Sequence, residues 1–117
     1  MKCLVIKPEF VADILDGIKR VEYRTWSTNF RGDFFIACSA TRKTKGYIAA
    51  VANLTNCVYS QRDKIYKWLL SDIRAVKPIP IKGQLRLFET NINDYEIIVT
   101  DDEIDAAYDE AEKWIFK

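Results

Sequence analysis

The stretch "ILDGIKRVEYRTW" (14–26) holds the densest set of chemically capable side chains in the sequence: Lys19, Arg20, Glu22 and Arg24, closed by Trp26. "RVEYR" alternates polar and apolar residues, the period of a strand. A strand puts Arg20, Glu22 and Arg24 on one face, about 7 Å apart, and Val21 and Tyr23 on the other. Glu22 is then expected between two permanent cations, Arg20 and Arg24. That arrangement suits orienting a ligand, or serving as a base, better than giving up a proton. Arg24 offers a planar fork to a phosphate or a base edge. Lys19 stands at a corner from which an ammonium can enter a cleft. Trp26, two residues beyond Arg24, is read either as a stacking platform for a base or as a core residue at the end of a barrel. The plain alternative for the charged set is a surface ion-pair network that braces a corner.

A second constellation is "SATRKTKG" (39–46). Ser39 and Thr41 supply hydroxyls, and Arg42, Lys43 and Lys45 supply positive charge. Such a loop suits contact with phosphates, or it is a solvated hairpin tip. The sequence contains no histidine, so the commonest general base and neutral metal ligand are both missing. A hydroxyl nucleophile would be Ser39 or Thr41, activated by Lys19 or a carboxylate. Cys3, Cys38 and Cys57 lie far apart in apolar contexts. They read as buried small hydrophobes in a reduced, cytoplasmic protein, with no disulfide framework and no zinc spacing. No metal and no cofactor is expected.

These residues need a scaffold. "CLVI" reads as a first strand; its apolar run is too short for a signal peptide. "KPEFVADILDG" reads as a short helix: Pro8 at the first position, Glu9 in the first turn, and Phe10, Val11, Ile14 and Leu15 on one apolar face. Gly17 is placed for a left-handed cap. "RGDFFIACSAT" is a turn and an apolar strand, and "YIAAVANLTNCVY" a long strand. "SQRDKIYKWLLSD" is expected to be a helix, capped by Ser60, with Ile65, Trp68 and Leu69 on one face. "IRAVKPIPIKGQLRLFE" holds two short strands, the first confined to an edge or bend by Pro78 and Pro80. "YEIIV" reads as a further strand. Thr100-x-x-Glu103 is a capping box that opens a C-terminal helix striped by Ile104, Ala107, Tyr108, Ala111 and Ile115. Trp68 and Trp114 fall on apolar stripes and read as core. The expected fold is α+β: a small mixed or antiparallel barrel with two or three helices plugging its ends.

The 117 residues suit one domain, with no stretch long and apolar enough for a membrane span. The net charge of +1 conceals an asymmetry. Residues 1–90 carry 16 Lys and Arg against 8 Asp and Glu, whereas residues 91–117 carry 2 against 9. A basic body attracts phosphates. The acidic helix either keeps the protein soluble, meets a protein partner, or covers the basic cleft.

The order of landmarks resembles the ASCH domain family, a branch of the PUA-like barrels. Strand, Lys-Pro and apolar helix lead into Gly-x-Lys-x-x-Glu-x-Arg, here Gly17, Lys19, Glu22 and Arg24. Gly32-Asp33 then enters "IACSA", and Trp68, Asp72-x-Arg74 and "PIPIKGQLRLF" close the pattern. The resemblance covers residues 2 to about 89, with the C-terminal helix as an extension. It implies a PUA-like barrel with a cleft between barrel and first helix that takes RNA or a nucleotide-like ligand. Some small relatives are hydrolases of N4-acetylcytidine, and others are reported as ribonucleases. The amidohydrolase lysine falls on Lys19, but its threonine nucleophile falls on Glu22. A carboxylate cannot replace a hydroxyl nucleophile without changing the chemistry.

The favoured expectation is therefore an RNA- or nucleotide-binding domain, with Lys7, Lys19, Arg24, Trp26, Ser39, Thr41, Arg42, Lys43 and Lys45 as contacts. The alternative is a small hydrolase using Lys19 with Glu22. A third reading, a regulatory piece, rests on the acidic helix.

Overall fold

A computed structural model describes all 117 residues. Six strands and two helices run in the order β1 (Lys2–Ile6), α1 (Pro8–Leu15), β2 (Val21–Arg24), β3 (Gly32–Cys38), β4 (Tyr47–Ser60), β5 (Ile65–Pro80), β6 (Leu87–Glu89) and α2 (Asp101–Ile115). The strands form one sheet in the order β2-β5-β4-β3-β1-β6. Only β1 and β3 pair in parallel; every other pair is antiparallel. The sheet curls, so residues at its two ends meet. Arg24 on edge strand β2 donates from Nη2 to the carbonyl of Val5 on β1 (3.0 Å). This is the expected small mixed barrel of the PUA-like kind, left partly open.

Alternation fills both faces of the sheet. In "GDFFIAC", Phe34, Ile36 and Cys38 enter one core and Phe35 and Ala37 the other. The first core also takes Val11 and Ile14 of α1, so the helix plugs the curl. Phe10 departs from the expected apolar face and is exposed. Gly17, with φ of 77°, ends the helix as expected; an added Cβ there would meet nothing, so the backbone angle alone favours glycine.

The expected middle helix is not formed. "SQRDKIYKWLLSD" is the tip of the longest hairpin: β4 runs to Ser60, a turn covers 61–64, and β5 starts at Ile65. Ile65, Trp68 and Leu69 have helical spacing, but Tyr66, Trp68 and Leu70 also alternate. The β-rich partner strand decides between the two periods. Ser60 caps no helix: its Oγ accepts the Asp63 N–H (3.2 Å) and donates to Asp63 Oδ2 (3.3 Å), closing the turn. The total is two helices. Pro78 and Pro80 lie in the far half of β5, beyond the residues that β2 pairs with, so their missing N–H groups interrupt no ladder on that side. "YEIIV" makes only the isolated bridge of Ile97 to Val76.

The capping box of α2 is complete. Thr100 Oγ1 accepts from the Glu103 N–H (3.1 Å), and Glu103 Oε1 accepts from the Thr100 N–H (3.2 Å). Ala107, Ala111 and Ile115 are buried, and Tyr108 and Trp114 meet Tyr47 edge-on. No helix is long and apolar enough to cross a membrane.

Candidate nucleic-acid interface

The charged strand face forms, with one change of partner. Glu22 is buried with its side chain only 7% exposed. Its Oε2 accepts from Arg24 Nε (3.1 Å) and Nη2 (2.8 Å), and its Oε1 lies 3.3 Å from Lys19 Nζ. The second cation beside Glu22 is Lys19, in place of the expected Arg20. Strand pairing starts only at Val21, so the alternation that would align Arg20 with Glu22 has not begun. Arg20 is exposed, and it is its carbonyl that is used, accepting the Leu70 N–H (3.0 Å).

The Lys19 ammonium also lies over two rings, 4.9 Å from Tyr23 and 5.3 Å from Phe10. The departure of Phe10 from the core is thereby explained: it covers a cation. Lys19, Glu22 and Arg24 form one chain of charge, and Arg24 Nη2 carries it to the Val5 carbonyl, closing the curl.

Trp26 packs against the first core. It is half-buried and meets Trp68 edge-on (4.8 Å), while its carbonyl accepts from Trp68 Nε1 (3.3 Å). Arg86 sits over its ring at 5.1 Å. Trp68 itself is fully buried, as expected of a core residue, though on a strand.

A concavity of about 930 Å³ opens at the other end of the long hairpin. Its walls are apolar, from Val5, Ala40, Pro80, Ile81 and Leu85, and Ser39 and three lysines, Lys45, Lys82 and Lys117, add the polar groups. Two glycines stand where the walls approach each other. A Cβ on Gly46 would stand 3.1 Å from the Ile81 carbonyl, and one on Gly83 would stand 3.2 Å from Val5. Cys38 faces this cleft, but burial pushes its thiol up, so it is no thiolate nucleophile at neutral pH.

The structure therefore divides the expected site residues. Ser39 and Lys45 line the cleft. Lys19, Glu22 and Arg24 stand behind one wall, joined to it through Val5. Thr41 is committed to its loop: Oγ1 accepts from the Lys43 and Thr44 N–H groups and shares a hydrogen bond with Thr44 Oγ1 (2.7 Å). Arg42 and Lys43 are exposed beside the cleft, outside its lining. Lys7 is exposed at the start of α1, and its carbonyl accepts from Phe10 and Val11.

Sequence reasoning did not include Lys82, Leu85, Arg86 or Lys117. The first three fall in "IKGQLRLF", which reads as landmark and strand. Lys117 reaches the site through the fold: the Lys45 N–H donates to Ile115 O (2.7 Å), Lys117 N donates to Lys43 O (2.9 Å), and Lys117 Nζ donates to Thr41 O (2.8 Å). The end of α2 thus pins the basic loop. No group of three or more His, Cys, Asp and Glu side chains is placed to hold a metal ion.

A family model for the ASCH domain matches residues 4–114. The chain belongs to the ASCH domain family. ASCH domains are PUA-like and generally bind RNA. No curated protein matches the chain. The landmarks of this ASCH domain meet in space. Asp33, from Gly32-Asp33, pairs with Arg74 Nη2 (3.1 Å), which also lies 3.4 Å from Asp72. That motif pair braces β3 against β5.

Proposed function

We propose that this ASCH domain binds RNA, or a nucleotide-like end of it, in the cleft that Lys45, Lys82 and Lys117 surround. The observation that carries the reading is an apolar concavity of nucleotide size with three lysines on it. The apolar walls suit a base, and the ammonium groups suit phosphate oxygens. Lys19, Glu22 and Arg24 set the position of the Val5 wall. Both Glu22 oxygens are engaged by cations, which supports holding a ligand over the hydrolytic alternative. The acidic face of α2 does not line this cleft; only the lysine at its end does. That favours a supporting helix over a self-masking one.

The test is fluorescence anisotropy with short labelled RNA across a salt series. Each phosphate contact to a single strand contributes about 0.7 to the slope of log affinity against log salt. Replacing Lys45, Lys82 and Lys117 together by alanine is expected to lower that slope by about 2. A slope left unchanged by the triple replacement refutes the assignment of the cleft.

A further inference from the structure

The β4–β5 hairpin extends past the compact part of the sheet. From Thr55 onward β4 pairs only with β5, because β3 reaches no further than Leu54. Register places Arg24, Tyr66 and Tyr59 side by side on β2, β5 and β4. Cross-strand partners share a face, and this row lies two residues beyond Glu22, Trp68 and Cys57. It is therefore the face of the first core, continued outward. The Tyr59 and Tyr66 rings meet at 5.0 Å, and Tyr59 is 51% exposed. Arg62 and Lys64 are exposed at the turn just beyond. Arg24 uses Nε and Nη2 within the protein, which leaves Nη1 for a ligand.

Two links join this row to the cleft. Val5 both lines the cleft and accepts from Arg24. Leu85, 92% exposed at the cleft, is followed by Arg86, whose guanidinium covers Trp26. Arg86 has φ of 61°, a left-handed angle costly for any residue but glycine. The chain turns there with an arginine that reaches from the cleft to an aromatic ring.

We propose that a single strand of nucleic acid held in the cleft continues over Arg86 and Trp26, then across the Arg24–Tyr66–Tyr59 row near the hairpin tip. This rests on the nucleic-acid reading of the cleft and adds a second, length-dependent surface to it. Aromatic rings beside arginines take any base by stacking and any phosphate by charge, so the track selects single strands and not a sequence. Tyr47 pairs at the cleft end of β4 and Tyr59 near its tip. Twelve residues of strand, roughly 40 Å, separate the cleft end from the Tyr59 row, room for several nucleotides.

The experiment compares a 4-nucleotide with a 12-nucleotide oligomer, each as RNA and as DNA, on the wild-type chain and on Tyr59→Ala and Tyr59→Ala/Tyr66→Ala. Wild type is expected to hold the 12-mer more tightly than the 4-mer. Both variants should lose about tenfold or more for the 12-mer, the effect of one unstacked base, and nothing for the 4-mer. Tyr66 packs against the core, so the single variant at half-exposed Tyr59 reads the track without disturbing the fold. Equal losses on RNA and DNA support a stacking track; a loss on RNA alone assigns it to RNA. Unchanged 12-mer affinity in both variants overturns the track and leaves the hairpin arm as a surface for protein. Failure of the wild type to bind even the 4-mer instead overturns the reading of the cleft.

Discussion

Glu22→Gln is the substitution that most directly tests the charged clasp. The amide keeps the shape of the carboxylate and removes its charge. Arg24 then donates to a neutral acceptor, with about half the strength of a charge-assisted bond. Lys19 loses its counterion, because one end of the amide is itself a donor. Breaking a fully buried pair costs about 3–5 kcal/mol. Here the Lys19 and Arg24 side chains are 19% and 25% exposed, so water recovers part of that, and about 2–3 kcal/mol is expected. A domain of this length unfolds with an entropy of about 0.25 kcal/mol per kelvin, so Tm should fall by about 8–12 °C. Glu22→Thr should lose at least as much, since the short hydroxyl side chain cannot reach both cations. The assay is thermal unfolding followed by circular dichroism, together with the cycle through Arg24→Met. Coupling of about 1–3 kcal/mol between the two positions is expected. A Tm within 2 °C of wild type for Glu22→Gln, or additive effects in the cycle, would refute the clasp.

The thiols should differ in reactivity. Burial pushes the Cys3 thiol up to about 12 and raises that of Cys38, whereas Cys57 is half-buried. Near pH 8 an aromatic disulfide reagent should modify one cysteine in the native protein and all three after denaturation, and Cys57→Ser should abolish the native reaction. At α2, Thr100→Ala removes the acceptor for the Glu103 N–H and should cost about 1 kcal/mol, a Tm drop of about 4 °C. Hydrogen bonds from Thr100 hold the Glu103 carboxyl below its ordinary value. A carboxyl lowered by folding stabilises above its unfolded value and loses that contribution as pH falls through the folded one. Alanine keeps the backbone bond to Glu103 and removes the hydroxyl one, so the Tm gap between wild type and Thr100→Ala should narrow below about pH 4; a gap constant with pH would exclude a contribution from the hydroxyl bond.

Local signals carried much of the fold. Pro8, Gly17 and the Thr100–Glu103 box each act within one turn of chain, and each stands where local chemistry puts it. "KIYKWLL" misled because two periods fit it, and only the partner strand, a tertiary fact, chooses between them. The charged face at Glu22 was legible because strand alternation is local. Its partner was not, because the residue at which pairing starts depends on β5. Ser39 and Lys45 were readable as loop chemistry. Lys117 was not, since it comes within reach of the cleft only after α2 crosses the sheet and its end binds the 41–45 loop.

The long hairpin has a consequence for how the domain folds. β4 and β5 are joined by a four-residue turn, so their pairing closes a short loop first and grows by neighbouring contacts. The cleft has no such advantage. Val5, Ser39, Ile81 and Lys117 come from four distant parts of the chain, and β1 pairs with β6 only after some eighty residues intervene. Those closures span long stretches of chain and carry the larger entropy of loop closure. A ligand in the cleft bridges these distant segments and so adds its binding free energy to the contacts that are costliest in chain entropy to close.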